Sequence, residues 1–194
     1  MPLITTLAGG SARGYGGLLG AAQVLDTAFE SIQTYTATST VGDVTFSSIP
    51  STYKILQIRG ICRADGSSAG DLSVFMQLNG DTTSSNYRFN RIYSYPGSNN
   101  KGLDYNSTSN IFASITLQNA ATANDYAYNI IEIVDYADSN KTKQVKQIGG
   151  SSGSQFYSAS LWTGTAAINS IKIFPGAGLN FLTYTQFALY GIKG

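Results

Sequence analysis

From Thr34 onward the apolar residues return at every second position. Leu72, Val74, Met76 and Leu78 share one side of a pleat, and Ile111, Ala113, Ile115 and Leu117 share another. A period of two is the signature of β-strand. Turn-forming residues interrupt it at Asp65–Gly70, Asn79-Gly80, Pro96-Gly97, Gly149–Gly153 and Pro175–Gly178. The runs between them are Thr34–Phe46, Tyr53–Arg63, Leu72–Asn79, Tyr87–Tyr95, Ile111–Gln118, Tyr126–Asp135, Thr142–Ile148, Gln155–Thr163, Ile168–Phe174 and Phe181–Ile192. No helical pattern separates them, which excludes the crossover helices that a parallel sheet needs. About ten short strands predict an all-β fold, an antiparallel jelly-roll-like β-sandwich over residues 34–194.

Residues 1–33 read differently. Six of the 21 glycines fall in the first 20 residues, among Leu3, Ile4, Leu7, Tyr15, Leu18 and Leu19. Glycine-rich backbone is costly to order, so this stretch is expected to be an extended arm and linker held by another chain, with packing along its own domain as the alternative. Within it Val24, Leu25, Ala28, Phe29 and Ile32 form one helical stripe, which predicts a short helix over 21–32.

Composition then removes function classes. The 194 residues hold no His, a single Cys (Cys62) and only two Glu, Glu30 and Glu132. His-based acid–base catalysis, Ser-His-Asp and Cys-His nucleophiles and soft-metal sites are excluded. No catalytic residue, metal site or cofactor is assigned. Glu132 and Asp135 stand three apart, facing opposite ways on a strand, so they do not make a paired-carboxylate site. Asn79-Gly-Asp81 has no second acid nearby and reads as a hairpin turn instead of a calcium loop. Net charge is +1, so no nucleic-acid partner is expected. The cluster Lys141-Thr-Lys-Gln-Val-Lys146 reads as a solvated strand whose lysines block edge pairing. Cys62 reads as a small buried hydrophobe and Trp162 as a core or interface residue. No apolar run is long enough for a membrane helix, and the N-terminus has no signal-peptide pattern, so a chain that stays in solution is expected.

Tyr87, Tyr93, Tyr95, Tyr105, Tyr126, Tyr128 and Tyr136 crowd the middle of the chain. They suit either strand and subunit contacts or stacking on sugar rings. The stretch Tyr95–Tyr105 reads as a polar loop, with Tyr95, Asn99, Asn100, Asp104 and Tyr105 as candidate receptor or subunit contacts.

Three segments carry a resemblance. They are Gly-Gly-Ser-Ala-Arg-Gly-Tyr-Gly at 9–16; Val44–Gly60, followed by Met76–Asp81 and Ser85-Asn-Tyr87; and Phe187-Ala-Leu-Tyr-Gly-Ile192. Together they resemble small virion structural proteins of tailed bacteriophages, of the cyanophage-like tail-fibre and capsid-decoration kind. The resemblance implies a non-enzymatic virion protein made in the host cytoplasm. Its arm would attach to other virion proteins through Leu7, Arg13, Tyr15 and Leu18, and the sandwich would form a homo-oligomer, a homotrimer. A tail-fibre role with contact to a host-surface glycan leads. A capsid cement role and a lectin-like carbohydrate-binding module stay open beside it.

Overall fold

The computed structural model describes residues 28–94 and 101–194. Among them are twelve strands and no helix. The large sheet runs, edge to edge, as β1 (Phe29–Thr36), β12 (Gln186–Ile192), β3 (Ile55–Ala64), β8 (Ala127–Val134), β9 (Lys143–Gly150), β10 (Gln155–Trp162), β5 (Tyr87–Ser94) and β6 (Lys101–Thr108). The small sheet is β2 (Val44–Phe46), β11 (Ile171–Pro175), β4 (Asp71–Leu78) and β7 (Ile111–Gln118). All pairings are antiparallel except one, the short parallel contact of Arg63 and Ala64 with Leu117 and Gln118. That contact joins the two layers of a β-sandwich at one corner.

The alternation places the core. Leu56, Ile58, Cys62, Ile131, Ile133 and Val145 of the large sheet face inward, with Val74, Met76, Leu78, Ile171 and Ile173 of the small one. Each such aliphatic side chain contributes roughly 1.5–3 kcal/mol by leaving water. On β7 the expected face is buried, but so are Phe112, Ser114, Thr116 and Gln118. This strand is covered on both sides, with the Phe112 ring 5.1 Å from Phe156 of the large sheet.

Two buried cations brace the ends. The Arg63 guanidinium donates to the carbonyls of Asn119, Ala121, Thr122 and Asp125, at 2.7–3.0 Å. It thereby holds the whole β7–β8 connection. Lys143 is fully buried, and its ammonium donates to the carbonyls of Asp138, Lys141 and Thr165. Burial lowers its pKa, the carboxylates of Asp138 and Asp135 opposing that shift.

Several expectations are corrected. Phe29–Ile32 belong to strand β1, so that part of the 21–32 helix does not form, and the sheet begins ahead of residue 34; residues 21–27 lie outside the described residues. The helical stripe loses because β1 takes the edge position beside β12. The run Thr34–Phe46 divides, since β1 ends at Thr36 and β2 lies in the other sheet. The Gln33 side chain still ties them, accepting from Ser47 N and donating to Ser47 O like a peptide group.

Asn79 and Gly80 do turn, both with positive φ, and Asp81 N bonds Leu78 O. Yet β4 and β5 lie in different sheets, so the turn opens a crossover and not a hairpin. Burial of Tyr87 and Phe89 in the large sheet decides this. The Lys141–Lys146 segment is not an edge either, because β9 sits between β8 and β10.

Candidate binding face

Of the arm residues, Leu7, Arg13, Tyr15 and Leu18 lie outside the described residues, as do Tyr95, Asn99 and Asn100. Asp104 and Tyr105 are not in a loop. They stand in β6, in register with Asn90 and Phe89 of β5. The loop reading is therefore corrected from Lys101 onward, where the chain is the strand β6.

What the fold does assemble is the outer face of the large sheet. Its register sets side chains in rows across the strands. One row runs Ile92, Tyr157, Ile148, Ile130, Arg59, Ala188 and Thr34, on β5, β10, β9, β8, β3, β12 and β1. Ile92 is 61% exposed, Tyr157 47% and Ile148 43%. Next to it Tyr128, 51% exposed, stands opposite Ile61, 40% exposed. Large apolar side chains scattered singly are ordinary on a surface, whereas these stand side by side on neighbouring strands. Gly150 occupies the position between Tyr128 and Gln155. Beside it lies a shallow hollow of about 280 Å³, walled by Tyr128, Tyr157, Ile148 and Ile92.

A polar row flanks the apolar one. Lys146 donates to Glu132 at 3.1 Å, Gln57 donates to the other Glu132 oxygen at 2.9 Å, and Arg59 Nε donates to Gln57 Oε1 at 2.6 Å. Burial raises the Glu132 pKa, but the bonds from Lys146 and Gln57 outweigh it and hold the carboxyl below its usual range. The Arg59 guanidinium also lies over the rings of Phe29 and Tyr190, at 5.4 and 5.5 Å. Lys146 is paired with Glu132, while Arg59 bonds the neutral Gln57 side chain. What the face presents to a partner is apolar area and ring surface, suited to binding.

The other singled-out residues are structural. Asp81 accepts from Thr83 N, Asn86 Nδ2 and Trp162 Nε1, the last at 2.7 Å. Burial pushes its pKa up, but these donors, Trp162 foremost, bring it down to about 2. Trp162 is buried and stacks on Tyr87. Tyr87 and Tyr136 are buried, with their hydroxyls bonded to backbone. Glu132 and Asp135 serve different lysines, Lys146 and Lys141. Cys62 is buried, which pushes its thiol up to about 12. Among the described residues no three His, Cys, Asp or Glu side chains gather as a metal site, and no helix is long and apolar enough to cross a membrane.

No family model matches the chain, and no curated protein matches it. One similar solved structure is the crystal structure of Scytalido-glutamic peptidase with a peptide based transition state analog. It is 12% identical and aligns over 76% of this chain and 74% of that one, with a TM-score of 0.30. A TM-score that low carries no argument about fold or chemistry. The outer-face row is the feature that sequence reading missed. Its signal was present as Ile92, Tyr128, Ile148 and Tyr157 at the positions alternating with core residues.

Proposed function

We propose that this chain is a non-enzymatic structural protein of a tailed-phage virion, of tail-fibre type, that assembles through its N-terminal arm and the outer face of its large sheet. The observation that carries the reading is the contiguous outer-face row Ile92–Tyr157–Ile148–Ile130, its first three side chains exposed, in a chain with only 12% charged residues. The resemblance of residues 9–16, 44–60, 76–81, 85–87 and 187–192 to virion proteins supplies the setting. Homotrimeric assembly is part of this proposal. A specific observation favours a second reading, contact with a saccharide. The exposed rings of Tyr128 and Tyr157 flank the shallow hollow, and Gln155 lines it as well.

The experiment is incorporation. Full-length chain and an Ile148→Asp variant, matched for thermal melting, are expressed during infection and located by gold labelling. The expected result is tail label for the wild type and loss of label for the variant. Head label would replace the fibre reading by cement. Normal incorporation of Ile148→Asp would overturn the role of the face, and a glycan array with no binder would remove the saccharide reading.

A further inference from the structure

We infer that the outer face of the large sheet pairs with the same face of a second copy, about a twofold axis that runs parallel to the strands between β8 and β9. The inference rests on the reading of this face as an assembly surface and names its partner. Among the described residues eight large hydrophobic side chains are exposed. Seven of them stand on this face, where Phe29 and Val134 join the five described above, and the eighth is Tyr184. One side of the sandwich thus carries nearly all the large apolar side chains that a partner could remove from water.

The symmetry comes from strand order and register. β8 and β9 are the middle two strands of the large sheet, with β1, β12 and β3 on one side and β10, β5 and β6 on the other. A half-turn about an axis between them lays β8 over β9 of the second copy and superposes the two faces along their whole width. The residues in register across that axis are complementary: Tyr128 with Gly150, Ile130 with Ile148, and Glu132 with Lys146. Face to face, each meets the other member of its pair on the second copy. The Tyr128 ring meets a position without a side chain and the hollow beside it. Ile130 meets Ile148. The Lys146–Glu132 pair within each copy becomes an alternating array of four charges. An axis along β8 would instead set Glu132 against itself, and one along β9 would do so for Lys146, which is unfavourable. One strand further out, Tyr157 of β10 comes opposite Arg59 of β3, whose guanidinium already lies over two rings.

The extent suffices. Eight strands span about 34 Å at ~4.8 Å per spacing, and Tyr128 to Val134 spans about 20 Å at ~3.4 Å per residue. The face is then about 700 Å² per copy, inside the range of about 600–1,000 Å² per partner that stable interfaces bury. Tyr and Arg are the residue types that most often dominate binding energy, and Tyr128, Tyr157 and Arg59 supply them here. Stacked sheets keep their strands within about 30° of each other, so the pairs nearest the axis stay opposed while the corners fan apart. A twofold contact of like faces closes on itself, and a homotrimer would then be built through other surfaces.

The test is made on the purified full chain, so its outcome is independent of virion incorporation. Sedimentation equilibrium should give a dimer at micromolar concentration. Ile148→Asp should raise the dissociation constant at least about a hundredfold, since the change enters the interface twice, and an unchanged melting temperature shows that the chain stays folded. Glu132→Lys and Lys146→Glu should each weaken self-association at least about tenfold. Mixed together, these two variants should form a heterodimer within about threefold of the wild-type affinity, because every lysine at 132 or 146 of one chain then faces a glutamate of the other. A wild-type monomer or trimer would overturn the inference. So would a dimer unmoved by Ile148→Asp, or a mixture no tighter than its components. A chain that is monomeric yet still enters virions would overturn the pairing alone, whereas a dimer that never enters them would remove the virion reading and leave the pairing standing.

Discussion

Replacing Arg63 by Met keeps an apolar stem of similar length and removes the guanidinium donors that brace the β7–β8 connection. The carbonyls of Asn119, Ala121, Thr122 and Asp125 lose the guanidinium at once. Hydrogen bonds to a charged group contribute about 1.5–3 kcal/mol each, so four of them would naively sum to ~6–12 kcal/mol. Two effects reduce this. Desolvating the guanidinium costs several kcal/mol in the native protein. The connection is also largely exposed, at Ala120, Thr122, Ala123 and Asn124, so some carbonyls turn to water. The net loss should be about 2–4 kcal/mol, a fall of roughly 5–15 °C in melting temperature for a domain of this size. Arg63→Lys keeps the charge but has three donors, and should lose about half as much. Denaturant unfolding reads the midpoint, with an unchanged m-value showing that stability alone moved. Hydrogen exchange should quicken at the Asn119 and Asp125 amides, which bond Gly66 and Thr122. An Arg63→Met variant within ~0.5 kcal/mol of wild type, with exchange unchanged, would show that the cage adds nothing net and refute the reasoning.

Leu78→Ala, at a fully buried position, should cost about 3–5 kcal/mol in the same denaturant assay, and a loss under ~1 kcal/mol would contradict its place in the core. The Asp81 carboxyl, depressed to about 2, contributes stability that is complete above its unfolded pKa of ~3.9 and is lost as pH falls through 2. Asp81→Asn should therefore flatten the decline of unfolding free energy between pH 5 and 2. Cys62, with its thiol pushed up to about 12, should resist a disulfide reagent at pH 8 in the folded protein and react fully once unfolded, and prompt reaction of the native form would overturn its burial.

The sandwich was legible because burial writes itself into alternation. Val74, Met76 and Leu78 show it on β4, and Phe187 and Leu189 on β12. What alternation does not record is which strands pair. Asn79-Gly80 has the turn chemistry of a hairpin, yet the chain after it crosses to the other sheet, a choice made by Tyr87, Phe89 and the Asp81–Trp162 bond. β6 was unreadable because Lys101–Thr108 has no apolar period and exists by pairing with β5. Lys143 illustrates the opposite error. A lysine in a basic cluster reads as solvated, while its three carbonyl partners come from segments up to 22 residues away. The candidate face was half legible. Its residues stood in plain sight, but a row exists only once seven strands are in register.

The order of strands in the large sheet also sets a timetable for synthesis. β12 lies between β1 and β3, so Phe29–Thr36, among the first residues described, finds no partner until Gln186–Ile192 has been made. The same holds for β2, which waits for β11. A nascent chain therefore carries β3 with one edge bare through most of its translation, and such pairing between distant segments is slow to form. The hairpins β8–β9–β10 can close early, since each strand follows its neighbour in the chain. The layer that joins the two ends closes last, so a ribosome stalled before residue 186 would release a product with an open, pairing-competent edge.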